Sequence, residues 1–326
     1  MPLTEFSIIE RYFTRCGRRR DDVVTGVGDD GAVLRVPSDR ELVVSIDTLV
    51  GGVHFPAATD PESIGHKALA VNLSDLAAMG AEPAWATLAL TLPRPDEVWL
   101  EGFSRGLSRL AERYHVQLVG GDTTRGPLSI TLQAHGFVPP GAALRRAGAR
   151  PGDLVYVTGT LGDAGLALRV LREGITLPEG HKEYLMHRLN HPEPRVAEGI
   201  ALRGLAHAVI DVSDGLVADL GHILAASGVG ATLEVAKLPL SPAMRAFATG
   251  AGAWNLALSA GDDYELCFAV PADEQAALEQ RFAAFACGCT CIGVIEAQAG
   301  LRCVRTDGTA FTPASSGYEH FAAGTQ

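Results

Sequence analysis

Val119-Gly120-Gly121-Asp122-Thr123-Thr124 is the stretch from which the rest of the chain is read. An apolar run, Val116 to Val119, leads into it, and an alternating run, Leu128 to Gly136, leads out. The expected structure is strand, tight turn, strand. Two glycines without Cβ atoms let a backbone come close to a ligand. An acid follows at once, then two hydroxyls. Backbone N–H groups suit phosphate oxygens, and a carboxylate suits Mg2+. Alone, this stretch also reads as a plain Gly-Asp turn. The same design recurs along the chain, and that recurrence sets the reading.

On the N-terminal side, Thr4 or Ser7 caps a first helix with Phe6, Ile9 and Phe13 on one face. Gly28-Asp29-Asp30-Gly31 is a glycine-framed acid pair before a strand from Ala32 to Val36. Two adjacent like charges are eased by a cation. The strand Leu42 to Ile46 is expected to stop at Asp47-Thr48, with His54-Phe55 soon after. Neither a dehalogenase-type phosphatase nor an aspartic protease fits there. Position 49 is Leu rather than a second Asp, and neither Asp47 nor Asp122 stands in Asp-Thr-Gly. Asp60-Pro61 opens a long helix to about Met79, with Asp75 on its apolar stripe. An acid there is costly unless paired or metal-bound. Trp85 to Leu92 reads as a strand, and Asp96 caps a helix through Tyr114.

On the C-terminal side, Pro139-Pro140-Gly141 breaks the pattern and a basic loop, Arg145 to Asp153, follows. The domain boundary is placed here, giving residues 1–145 and 146–326. The second half holds the strand Leu154 to Thr158, a Gly159 to Asp163 turn opening a helix, and helices near 182–189 and 195–204. Ala208 to Ile210 runs into Asp211-Val212-Ser213-Asp214-Gly215 at a strand-to-helix junction. Asp262-Asp263-Tyr264-Glu265 stands at the mouth of the strand Leu266 to Val270. Cys287, Cys289 and Cys291 alternate on one strand face and read as packed thiols, since no zinc spacing is present.

Bulk properties narrow the function classes. At 326 residues the chain is long for one core, so two domains are expected. The net charge of −11 argues against a nucleic-acid face. No apolar run approaches the ~20 residues that span a bilayer, and the first 16 residues lack a signal-peptide core. A cytoplasmic protein without membrane contact is expected. The three lysines, Lys67, Lys182 and Lys237, stand outside any P-loop. Phosphate handling therefore needs metal charge. Acids at strand ends gather on one rim, where divalent cations relieve their repulsion. The residues thus point to an α/β Mg-nucleotide enzyme performing phosphoryl transfer.

The motifs also carry a resemblance. Gly28-Asp29-Asp30-Gly31-Ala32, Ser45-Ile46-Asp47-Thr48-Leu49-Val50 with His54-Phe55, Asn72-Leu73-Ser74-Asp75-Leu76-Ala77-Ala78-Met79-Gly80, Gly120-Gly121-Asp122-Thr123, Asp211-Val212-Ser213-Asp214-Gly215-Leu216 and Asp263-Tyr264-Glu265-Leu266 resemble thiamine-monophosphate kinases, in that family's order. The wider superfamily is that of aminoimidazole ribonucleotide synthetase and selenophosphate synthetase. The resemblance implies a two-domain aminoimidazole ribonucleotide synthetase-like fold, α/β with mixed sheets flanked by helices. It implies transfer of the γ-phosphoryl group of ATP to thiamine monophosphate, giving thiamine diphosphate, with several Mg2+ ions. A homodimer through the N-terminal sheet is implied, with the metal cluster in the N-terminal domain and nucleotide and substrate contacts in the C-terminal one. Matching positions imply Mg2+ ligands at Asp30, Ser45, Asp47, Asp75, Asp122, Asp211 and Asp214. They imply ATP contacts at Gly121, Asp122, Arg146 and Ser213, and substrate contacts at His54, Asp262 and Tyr318. Turnover is expected to depend most on Asp47, Asp75 and Asp122. Two positions depart from the family. Ile46 stands where a second hydroxyl residue is frequent, leaving only its carbonyl for metal, and Asp262 replaces the usual Glu. A sister ATP-dependent synthetase and a nucleotide-binding regulator are the alternatives.

Overall fold

The computed structural model describes residues 3–321, which divide into two compact units. Of these, the first unit comprises residues 3–76 and 81–143, and the second residues 77–80 and 144–321.

The first unit runs α1 (Glu5–Ile8), β1 (Val23–Thr25), β2 (Val33–Leu34), β3 (Glu41–Val50), α2 (Pro61–Ala78), β4 (Glu82–Leu92), α3 (Glu97–Arg113), β5 (Gln117–Arg125) and β6 (Ser129–Val138). Thr4 caps α1 through a reciprocal bond with Ser7, as its sequence signals, and a π-helical turn, Ile9–Phe13, continues it. Asp60 and Asp96 cap α2 and α3 by accepting from Ser63 N–H and Trp99 N–H, each at 3.1 Å. Along α3 the buried Leu100, Phe103, Leu107 and Leu110 recur at helical spacing and form its inner stripe. By contrast α2 is buried nearly all round from Ala68 to Ala78, so it is an interior helix rather than an amphipathic one.

The four-stranded sheet has the order β3-β6-β4-β5, antiparallel except for the parallel β4–β5 pair. This corrects the reading of the Gly-Gly-Asp stretch as a hairpin turn. Residues 120–122 lie within β5, which runs on to Arg125, and the chain reverses at 126–128. The strand is parallel to β4, with an irregularity between Ala86 and Thr87. A second correction concerns Asp47. It does not end a strand but sits inside β3, paired with Leu132. Edge pairing to β6 carries β3 to Val50, past the polar residues that marked its expected end.

The second unit runs β7 (Leu154–Thr158), α4 (Asp163–Glu173), α5 (Glu179–Asn190), α6 (Val196–Ala201), β8 (Ala208–Val212), α7 (Leu216–Ser227), β9 (Gly230–Glu234), α8 (Pro242–Phe247), α9 (Ala251–Ser259), β10 (Glu265–Val270), α10 (Gln275–Phe282), β11 (Cys289–Glu296), β12 (Gly300–Val304) and β13 (Ala310–Phe311). Its seven-stranded mixed sheet has the order β13-β12-β9-β11-β7-β10-β8. Period-two alternation splits the core in two. Val155 and Val157 join Leu216, Leu220 and Ile223 of α7 on one face. Tyr156 stacks on Phe268 at 5.7 Å on the other, with Phe282 beyond it. The approach to Asp262 leaves a helix, α9, which ends at Ser259. Cys289 and Cys291 lie on β11 and Cys287 just before it, and all three thiols are half-buried rather than in the core.

Candidate active site

The sequence-predicted acids of the first unit form two groups. In the first, Ser45 and Asp47 share the inward face of β3, because residues two apart on a strand point the same way. The Ser45 hydroxyl donates to Oδ2 of Asp75, which the later turns of α2 present. Asp47 crowds the same carboxylate. Burial raises its pKa first, and the charge and hydrogen bonding of Asp75 raise it further, to about 7. Two carboxylates so placed repel, which favours a proton held between them.

The second group lines a cavity of about 390 Å³, with Asp29, Asp30, Gly121 and Asp122 on one side and Phe6, Ile9 and Phe13 on the other. The face read for the first helix is thus real, but it borders this cavity: Phe6 is 79% exposed, and only Phe13 is buried. At Gly121, a Cβ would lie 1.9 Å from the Leu88 carbonyl oxygen, so β5 approaches β4 too closely for any side chain. The register links the two groups. Asp47 pairs with Leu132, Leu132 with Leu88, and Leu88 with Gly121, one row straight across the sheet. Three interstrand steps put its ends ~14 Å apart. Among the described residues, no three His, Cys, Asp or Glu side chains converge closely enough to hold a metal ion.

His54 accepts a hydrogen bond from Val50 N–H on Nδ1 at 2.9 Å. An accepting Nδ1 carries no proton, so the geometry selects the tautomer with its proton on Nε2.

In the second unit, Asp211 is buried on β8, and Ser213 and Asp214 lie in the turn from β8 into α7. That turn is held by a residue the sequence reading did not single out. Oδ2 of buried Asp219 accepts from the N–H groups of Ser213, Asp214 and Gly215 at 3.0, 3.0 and 3.1 Å. Burial and the nearby Asp214 charge raise its pKa to about 7, against the pull of those donors. Its position four residues after Gly215, in the first turn of a helix, is the signal that could have found it.

Asp262 and Tyr264 both take left-handed backbone angles, φ 62° and 51°. Their N–H groups bond to the carbonyls of Ser213 and Val212 at 2.7 and 2.8 Å, and Tyr264 Oη donates to Asp262 Oδ1 at 3.0 Å. Tyr318 N–H bonds to the Asp214 carbonyl at 2.9 Å, leaving the ring 47% exposed. Ser213, Asp214, Asp262 and Tyr318 are therefore brought together. Arg146 is not. Its exposed loop is bonded to Val209 through Arg145 and to Ser227 at the far end of α7. That 12-residue helix separates it from Ser213 by ~18 Å.

Beside this turn lies a balanced ion cluster. Fully buried Glu265 is paired with Arg195 at 2.6 Å and Arg188 at 2.9 Å, and accepts from Thr158 at 2.7 Å. Burial works to raise its pKa, but the two guanidinium groups prevail and hold the carboxyl below its ordinary value. Asp263, equally buried, accepts Gly162 N–H on both oxygens and is driven well above the usual range by burial.

Sequence comparison adds the lineage. The family described as "AIR synthase related protein, N-terminal domain" matches residues 28–138, and its C-terminal counterpart matches residues 150–305. A thiamine-monophosphate kinase of Salmonella typhimurium is 52% identical over 324 residues, covering 99% of both chains. The chain belongs to the thiamine-monophosphate kinase family. The fold agrees. The family's crystal structure from Stenotrophomonas maltophilia superposes with a TM-score of 0.86 at 47% identity, over 95% of this chain and 99% of that one. A further member, described as AaThiL complexed with AMPPCP and TMP, has a TM-score of 0.76 at 34% identity, over 90% and 92% of the chains.

Proposed function

We propose that the protein transfers the γ-phosphoryl group of ATP directly to the phosphate of thiamine monophosphate, releasing ADP and thiamine diphosphate. The observation that carries this reading is the crowded Asp47–Asp75 pair, whose Asp47 shares a sheet row with Gly121 of the cavity wall. A row ~14 Å long is of the order of an extended nucleoside triphosphate. The ligands of the 34%-identical relative, read as an ATP analogue and thiamine monophosphate, support the same pair of substrates.

The donor set suits Mg2+. Asp30, Ser45, Asp47, Asp75 and Asp122 of the first unit, and Asp211 and Asp214 of the second, offer only hard oxygens. A carboxylate pair forced to share a proton is stabilised when a cation replaces it. Bound there, Mg2+ would neutralise the repulsion between the two phosphate groups.

The chain's own groups do the rest. Gly121 and Asp122 are assigned to the nucleotide, as is Ser213, whereas Arg146, ~18 Å from Ser213 along α7, is left out of the contact set. His54, with its proton on Nε2, is assigned to the substrate phosphate. Asp262, aimed by the Tyr264 hydroxyl, faces the cationic thiazolium, and the exposed Tyr318 ring stacks on the substrate. The monophosphate oxygen is already anionic at neutral pH, so in-line attack needs no strong general base.

A cytoplasmic location is part of the proposal; among the described residues no helix is long and apolar enough to cross a membrane. A homodimer is proposed through the outward face of edge strand β3, where Leu42, Val44 and Ile46 are 43%, 46% and 60% exposed. The test of function is incubation with ATP and thiamine monophosphate, with and without Mg2+, and identification of the product. Equimolar ADP and thiamine diphosphate are expected only with Mg2+. Turnover of an aminoimidazole precursor instead, or ATP binding without ADP release, overturns the assignment.

A further inference from the structure

The turn carrying Ser213 and Asp214 has its main chain engaged from both sides. Its successive N–H groups, at 213, 214 and 215, converge on Asp219 Oδ2. Its successive carbonyls, at 212, 213 and 214, accept from Tyr264, Asp262 and Tyr318 at 2.8, 2.7 and 2.9 Å. A run of N–H groups at a helix start is ordinarily where an anionic ligand docks. Here the chain's own buried carboxylate fills that position, so these amides serve the fold and a phosphate must be met by other groups.

Two glycines show how tightly the pieces fit. A Cβ on Gly261 would lie 2.6 Å from the Ser213 carbonyl oxygen. One on Gly317 would lie 2.7 Å from Ala218 Cβ and 2.9 Å from the Asp214 carbonyl oxygen. Both glycines also have left-handed φ, 72° and 120°. The C-terminal segment is fastened further by Ser259 Oγ to the Ser315 carbonyl at 2.6 Å, and by Ala314 N–H to Asn255 Oδ1 at 3.0 Å.

We infer that Asp219 is a positioning residue that locks the 212–215 turn and, through its three carbonyls, sets Asp214, Asp262 and Tyr318 as one rigid piece. What those side chains contact rests on the function proposed above; their mechanical coupling does not. A helix cap alone would steady only its own amides. Coupling predicts that loosening one side of the turn loosens the segments bonded to the other.

The test uses the full-length protein and two readouts. In substrate-free Asp219→Ala, amide hydrogen exchange is expected to rise about tenfold or more, as for a lost charged hydrogen bond, in peptides covering 213–215, 262–264 and 318 together. Strands β7 and β11 keep their protection. The KM for thiamine monophosphate rises by about the same factor, and Asp219→Asn, whose amide oxygen still accepts, recovers most of both effects. Gly317→Ala, whose Cβ would press on the Asp214 carbonyl, is expected to raise that KM and to speed exchange at 213–215 and 262–264 as well. Should the alanine variant not fold, Asp219→Ser, with a shorter single acceptor, carries the same expectation. Faster exchange confined to 213–215 overturns the inference, as does an unchanged KM for thiamine monophosphate in a folded Asp219→Ala enzyme. If the wild type does not turn over thiamine monophosphate, the proposed function fails, and the exchange pattern still decides the coupling.

Discussion

The two units treat buried negative charge in opposite ways. In the second, Glu265 is fully buried but meets Arg188, Arg195 and Thr158, and its carboxyl stays below the ordinary range. In the first, Asp47 meets another carboxylate, Asp75, and is pushed up to about 7. A charge supplied with its counter-ions is architecture. A charge crowded against its like is a place held open for something positive, and it weakens the fold until that arrives.

The largest expected effect is catalytic. Asp75→Asn or Asp122→Asn is expected to lower kcat about 1,000-fold or more, ~4 kcal/mol of barrier, with an unchanged circular dichroism spectrum. Unchanged turnover at saturating Mg2+ would erase the distinction between the two regions. Next comes the balanced cluster. Arg195→Met leaves Glu265 buried with one cation fewer and is expected to cost about 3–4 kcal/mol in urea unfolding. A loss below about 1 kcal/mol would mean that the pair is not structural in this sense.

A smaller effect has the opposite sign. The folded carboxyl of Asp47 holds a proton that the unfolded chain releases at lower pH. Its contribution to stability therefore declines as pH rises from the ordinary carboxylate range through about 7. In EDTA, Asp47→Asn is expected to remove that decline and to stabilise the protein at pH 8 by ~1–2 kcal/mol, discounted for partial exposure, with no gain at pH 4. Equal melting temperatures for wild type and variant at both pH values would show that Asp75 does not strain Asp47. Smallest of all, Cys291→Ala should cost about 1 kcal/mol or less and leave the Mg2+ dependence of turnover unchanged. A shifted Mg2+ requirement would give the half-buried thiols a metal role.

The motifs made most elements legible, because capping residues and apolar periodicity act locally. Asp60, Asp96 and Thr4 cap the helices their sequence marks. What escaped depended on partners distant in sequence. Gly120-Gly121-Asp122 reads as a turn until β4 is alongside to make it strand, and Asp47 reads as a strand end until β6 extends β3. The acids were legible as a set, but their division into an Asp47–Asp75 pair and a cavity bordered by Asp30 and Asp122 was not, since strand order decides it. Arg146 was assigned to the nucleotide through the resemblance alone, and its loop is tied to the far end of α7. Asp219 escaped notice, because its three bonds exist only once the turn has closed.

The measurement closest to the central claim is calorimetric titration of Mg2+ into the protein, with and without a non-hydrolysable ATP analogue, for the wild type and for Asp47→Asn and Asp75→Asn. Binding of Mg2+ by the wild type, with release of protons near pH 7 and loss of that binding in both variants, is the predicted result. Undiminished binding in the variants, or none in the wild type, would contradict it.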